Sequence, residues 1–194
     1  MNGLYALKPW YTARLDPLLR HLVARRVPPV ALTVAGVGAA VAAGAALALL
    51  RPGLPAALLV GGLLAIRLGC ANLDGAVARR ANLSTRRGAV ANELGDRLAD
   101  LAALAGAAAL APPVLVLAAA LAACAPSWVA LAGAAAGAPR IQGGPVGKTE
   151  RCALLVAVAA TGWATPLVAV LGAGSAITAG LRLIRVRALL GSAS

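Results

Sequence analysis

Apolar runs of about twenty residues, broken by short turns or basic clusters, recur along this chain from residue 30 onward. Runs of that length match the hydrocarbon thickness of a bilayer. The pattern predicts spans near 30–50, 54–73, 89–111, 113–137, 152–171 and 172–186. Pro28-Pro29 opens the first span, Arg51-Pro52-Gly53 turns the chain into the second, and Pro112-Pro113 separates the third from the fourth. Pro126 interrupts the fourth, residues 138–151 form a Gly- and Pro-rich loop, and Gly172-Ala173-Gly174 is the expected boundary between the last two spans. Before residue 29 the pattern changes. Pro17 is placed at the start of a short amphipathic helix that sets Leu18, Leu19, Leu22 and Val23 against Arg20, Arg25 and Arg26, with Trp10 and Tyr11 ahead of it. The expected architecture is an all-α integral membrane protein of about six transmembrane helices. An N-terminal interfacial segment (1–28) precedes one membrane domain (29–190).

Composition sharpens this picture. With 61% hydrophobic and 12% charged residues, the chain is not an ordinary soluble domain. Its net charge of +12 suggests nucleic acid at first sight, but the distribution points elsewhere. Fifteen of the eighteen basic residues lie before the first span, after the second, after the fourth and at the end of the chain, where Arg182, Arg185 and Arg187 close it. Arg51 alone lies in the other loops. That asymmetry puts both termini on the cytoplasmic side of the inner membrane and makes membrane lipids, not nucleic acid, the partner of the charge. The first apolar run is longer and starts later than in a typical cleaved signal peptide. Cys70, Cys124 and Cys152 lack metal-type spacing and read as small packing residues.

The acidic residues carry the chemistry. Only six Asp or Glu occur, and Asp74, Glu93, Asp96 and Asp100 fall within 27 positions. Carboxylates at membrane depth are expensive and mark working sites. Oxygen ligands without His or thiolate partners suit a hard divalent cation, Mg2+ or Mn2+. On a helix, Gly88, Asn92, Asp96 and Asp100 recur every four residues along one face, and Asp74 closes the preceding span opposite them. The competing reading pairs Asp74, Asp96 and Asp100 with Arg79, Arg97 or Arg67, and Glu93 with Arg97. Arg67 itself either snorkels or faces the bundle interior. Gly143-Gly144-Pro145-Val146-Gly147-Lys148-Thr149 is near a Walker A motif, but it encloses three residues rather than four between the glycines. It reads as a flexible polar turn, with Lys148 or Arg151 as a contact for a substrate phosphate.

The run Asp74-Gly75-x-x-Ala78-Arg79, eight residues, then Gly88-x-x-x-Asn92-x-x-x-Asp96 resembles the signature of the CDP-alcohol phosphatidyltransferases. That signature reads Asp-x-x-Asp-Gly-x-x-Ala-Arg, then Gly-x-x-x-Asp-x-x-x-Asp. Two of its carboxylates are replaced here, the first by Ala71 and the third by Asn92. The resemblance implies transfer of a phosphatidyl or similar phosphoalcohol group from a CDP-linked lipid donor to an alcohol acceptor, with release of CMP, in phospholipid biosynthesis. It implies metal ligation by Asp74, Asn92 and Asp96, with Asp96 also the catalytic base. Gly75, Ala78, Arg79 and Gly88 are the implied nucleotide and substrate contacts. It implies one or two Mg2+ or Mn2+ ions and a homodimer. Asn72 and Glu93, one residue beyond the altered positions, are candidate substitutes, and Asp100, Lys148 and Arg151 are further auxiliaries. The alternatives are a noncatalytic homologue that binds lipid-nucleotide or assists assembly, and a small transporter. A transporter needs a polar path, whereas the third span beyond Asp100 is Leu, Ala and Gly.

Overall fold

The computed structural model describes residues 8–191, with side chains from Arg14 onward; the side chains of Trp10 and Tyr11 lie outside the described residues. Seven α-helices follow one another: α1 (Lys8–Ala24), α2 (Pro29–Leu49), α3 (Leu54–Arg80), α4 (Arg86–Ala105), α5 (Pro113–Ala135), α6 (Lys148–Thr161) and α7 (Ala164–Gly191). One turn of 3-10 helix, Gly106–Ala109, extends α4. The described residues contain no strand.

Four helices, α2, α3, α5 and α7, are long and apolar enough to cross a membrane. The other two bundle helices depart from that pattern for different reasons. Helix α6 has only 14 residues. Helix α4 has 20 but carries Glu93, Asp96, Arg97 and Asp100 at its centre. Its outer face is nonetheless apolar, because Val90, Leu94, Leu98 and Leu101 are exposed at roughly helical spacing. It is thus an inside-out amphipathic helix: hydrocarbon faces outward and charge faces the bundle.

Several boundaries differ from those the hydropathy pattern predicts. Helix α3 does not stop at residue 73 but runs on to Arg80, so Asp74 lies within it. Gly75, Ala76 and Ala78 carry no break signal, and the chain turns only at Asn82, whose φ is 55°. Helix α6 begins at Lys148, inside the expected loop, capped where the Glu150 side chain accepts a hydrogen bond from the Gly147 amide. The break between the last two helices falls at Gly162, with φ 74°, rather than at 172–174. Gly172 serves close packing instead, since a Cβ there would lie 3.2 Å from the Ala119 backbone on α5. Pro17 lies inside α1, not at its start, and Leu18 is exposed while Leu15 joins Leu19, Leu22 and Val23 against Leu73 and Val77 of α3. Asp16 ties the same surfaces by accepting from Arg80 at 2.7 Å, which holds its carboxyl below the ordinary value. Pro126 sits in an unbroken α5, where its carbonyl accepts from Arg182 at 2.8 Å.

Helix α2 is the axis of the functional half. It packs against α3 on one side and α4 on the other, while α5 runs along α7 and α6 bridges α3 and α7. Small residues let these backbones approach. A Cβ on Gly36 would stand 3.1 Å from Cys70 on α3, and one on Gly95 would stand 2.4 Å from Thr33. At Gly106 the added carbon would fall 2.0 Å from the Gly44 carbonyl oxygen, a backbone atom that no side-chain rearrangement moves. Gly106→Ala should therefore destabilise the bundle by about 1–3 kcal/mol, as overpacked cores do. Thermal unfolding in detergent checks this against Gly180→Ala, where nothing lies within 4 Å of the added carbon.

Candidate active site

The close α2–α4 crossing at Gly95 and the α2–α3 contact at Gly36 bring Asp74 and Asp96 to one cavity. It has a volume of about 10 Å3, room for one water-sized sphere, and is lined by Thr33, Gly36, Val37, Arg67, Ala71, Asp74, Gly95, Asp96 and Ala99. Asp74 is 3% exposed. Its Oδ2 accepts from the Thr33 hydroxyl at 3.0 Å and its Oδ1 from the Gly75 amide at 2.5 Å, both neutral donors. Asp96 faces cations instead. Its Oδ2 lies 2.5 Å from Lys148 Nζ, and its Oδ1 lies 3.8 Å from Arg67 Nη2, which also donates to the Asp96 carbonyl at 3.3 Å. Ala71, the position of the first signature carboxylate, lines the same cavity with a methyl group.

Asp100 belongs to a second centre. Its oxygens receive Arg67 Nη2 at 2.5 Å and Arg151 Nη2 at 2.6 Å, with Arg97 Nη1 at 3.5 Å. Arg67 is 1% exposed and faces the interior rather than snorkelling. Asp100, Arg67 and Arg151 line a neighbouring cavity with Leu64, Cys152 and Leu155. The four-residue spacing explains the separation, because each step of four drifts about 40° around a helix of 3.6 residues per turn. Asp96 and Asp100 thus face different cavities, and Arg67 borders both.

The remaining predicted residues divide. Asn92, one turn before Asp96, has a buried Oδ1 with no hydrogen-bond partner among the described residues. Glu93 is held by Arg140 and lies 3.8 Å from Arg97 Nε, and the Asn72 amide donates to Leu68 O of its own helix at 2.9 Å. None of Asn72, Asn92 and Glu93 lines the Asp74–Asp96 cavity, and Asn72 and Glu93 are turned to other partners. Gly88 is exposed in the first turn of α4, its amide donating to the capping Thr85 hydroxyl at 3.0 Å. Arg79 folds back over Gly75, where a Cβ would lie 3.2 Å from its Nη1. Ala78 is half-buried on the same turn. All three cysteines are free, with Cys124 and Cys152 buried. Two contributors escaped sequence reasoning. Thr33 is a lone hydroxyl early in an apolar span, the kind of residue that bridges helices in lipid, and Gly95 is hidden among many glycines.

This inside-out helix, crossing a glycine-lined partner to set two carboxylates in one cleft, belongs to a recognised class of membrane enzyme. Residues 26–181 match the family model of the CDP-alcohol phosphatidyltransferases, and the chain belongs to that family, whose members transfer phosphatidyl groups. No curated protein sequence matches it significantly. The fold is similar to that of phosphatidylinositol phosphate synthase (PgsA1) of Mycobacterium tuberculosis. Against that protein with CDP-DAG bound, the TM-score is 0.65 at 24% identity, covering 88% of this chain and 92% of the other. In complex with manganese and citrate the values are 0.66 and 24%, covering 88% of each. The apo form gives 0.65 and 23%, covering 92% and 99%.

Proposed function

We propose that this enzyme moves a phosphatidyl group from a CDP-linked lipid to an alcohol hydroxyl, with release of CMP, at the cytoplasmic face of the inner membrane. The observation that carries this reading is the opening of Asp74 and Asp96 onto one cavity. Family membership supports the reaction, and the CDP-DAG bound to the similar synthase supports the donor. The clustering of basic residues at the α3–α4 turn, the α5–α6 loop and both chain ends supports the sidedness and membrane-lipid contact. A nucleotide then stays in water while its lipid tail stays in the bilayer. Family resemblance also supports a homodimer.

The donor atoms in the cleft fit one hard divalent ion. They are the two carboxylates, and outside the cavity lining, one turn before Asp96 on α4, the buried amide oxygen of Asn92 has no partner among the described residues and is the nearest candidate for a third ligand. They do not fit two, because Ala71 offers no oxygen, and among the described residues no three His, Cys, Asp or Glu side chains converge as a metal cluster. Asp74, Asp96 and Asn92 would hold the ion, Mg2+ or Mn2+, and the manganese in the similar synthase supports that choice. When bound, it supplies neutralisation of the pyrophosphate and of the charge that gathers on the departing CMP. Asp96 accepts the proton of the attacking hydroxyl. Thr33 and the Gly75 amide keep Asp74 oriented. Arg79, folded over Gly75 one turn from Asp74 with Ala78 beside it, meets phosphate oxygens, and Gly88, without a side chain, leaves room for the nucleotide.

Purified protein with CDP-diacylglycerol, Mn2+ and a panel of alcohols and phosphorylated alcohols should release CMP with at least one acceptor, and EDTA should stop it. CDP-lipid binding without CMP release across the whole panel would instead favour a noncatalytic homologue, the reading that Ala71 in the cleft supports.

A further inference from the structure

The cleft lacks two of the four signature carboxylates and has a lysine beside one of the two that remain. Lys148 Nζ stands 2.5 Å from Asp96 Oδ2. Its position is set by the loop before it. The Val146 amide donates to Thr178 Oγ1 at 3.0 Å, Arg182 Nε donates to the Gly143 carbonyl at 2.9 Å, and Gly144 presses so close to Thr178 that a Cβ would lie 2.2 Å from it. Gly147 then caps α6, fixing Lys148 as its first residue. The near-Walker segment is thus a strap tied to α7 that delivers one ammonium group into the bundle.

The charges around the two carboxylates are unequal. Both oxygens of Asp96 already face fixed cations, Lys148 on one and Arg67 on the other. Both oxygens of Asp74 accept hydrogen bonds from neutral donors, Thr33 and the Gly75 amide, and no cation is paired with them, although Lys148 and Arg67 lie farther off around the same cleft. A divalent ion reaching Asp96 must share that carboxylate with an ammonium group, and like charges so close repel, the more so in a partly buried site. We infer that Lys148 is a resident cation that takes the place of one metal ion, so that the cleft accepts a single divalent ion biased toward Asp74. The loss of acid at positions 71 and 92 and the presence of Lys148 then belong together, because two fewer negative charges require less positive charge to balance them. An ammonium group also carries three N–H donors, so Lys148 can hold Asp96 and a phosphate oxygen of the donor together. This inference rests on the divalent-ion reading above but fails separately from it.

Titration of purified protein in detergent with Mn2+, followed by the electron paramagnetic resonance signal of free ion, tests it without turnover. Wild type should bind one Mn2+ per chain. Lys148→Met and Lys148→Gln should bind it about tenfold or more tightly or take up a second ion, whereas Lys148→Arg should stay near wild type. The two uncharged variants differ in polarity, and thermal unfolding in the same detergent identifies one that keeps its fold. Two ions on wild type, or equal affinity and stoichiometry in a folded uncharged variant, would overturn the inference while leaving the divalent-ion reading intact. Binding by the uncharged variants but not by wild type would overturn the single-ion cleft, because Lys148 would then exclude the metal altogether, and would remove the divalent ion from the proposed function. Absence of binding in every form would defeat both.

Discussion

Asp96→Asn should lower CMP release at least about a hundredfold, and by as much as about 10^4-fold, the range set by removing a positioned proton acceptor. The amide keeps the size of the side chain but neither accepts the hydroxyl proton nor balances Lys148, whose Nζ lies 2.5 Å away. The deficit should appear in kcat at saturating CDP-lipid, since a proton acceptor acts in the transition state. Initial rates of CMP release, with thermal unfolding as a check on the fold, make the measurement. Turnover within about threefold of wild type would remove Asp96 from the chemistry. Asp74→Asn should also lose activity, and with it Mn2+ affinity.

The second large effect concerns stability. Asp100→Leu should lower the thermal midpoint in detergent by about 10 °C, the size expected when about 3–5 kcal/mol is lost. Its carboxylate is the shared acceptor of Arg67 at 2.5 Å and Arg151 at 2.6 Å, with Arg97 at 3.5 Å. Removing it leaves three guanidinium groups close together, two of them on buried residues, without their carboxylate. Arg67→Met should cost less, about 1–2 kcal/mol. The thioether replaces much of the buried volume, Asp100 keeps Arg151 and Arg97, and Asp96 keeps Lys148. An Asp100→Leu midpoint at or above that of Arg67→Met would show that the carboxylate is not the keystone of this network.

The ordering of effects follows from which charges the fold groups, and hydropathy alone does not carry that information. Pro29 and Pro113 mark the starts of α2 and α5 within a residue of the expected spans, because a missing N–H costs least in the first turn, whereas Pro17 and Pro126 lie inside helices and mark no boundary. Glycine proved ambiguous. At Gly162 it breaks the chain with a left-handed turn, whereas Gly172 lies inside α7 against the Ala119 backbone. Both are small residues in apolar surroundings, and only the packing partner distinguishes them. The same holds for Asp96 and Asp100. They differ by one turn in sequence, yet one opens onto the cavity of Asp74 and the other joins the arginine cluster.

From the residue string alone come the all-α membrane class, the family signature from Asp74 to Asp96, and the absence of a carboxylate at positions 71 and 92. The class follows from local periodicity, and the signature from resemblance to a known motif, neither of which needs knowledge of distant contacts. The tertiary structure decided which polar groups meet. It joined Thr33 to Asp74 across 41 residues, set Lys148 on Asp96 across 52, and turned Asn72 and Glu93 toward other partners. Such pairings depend on where helices cross, and the crossings depend on backbone approach at Gly36, Gly44, Gly95 and Gly106, positions that look like any other glycine until two helices touch there.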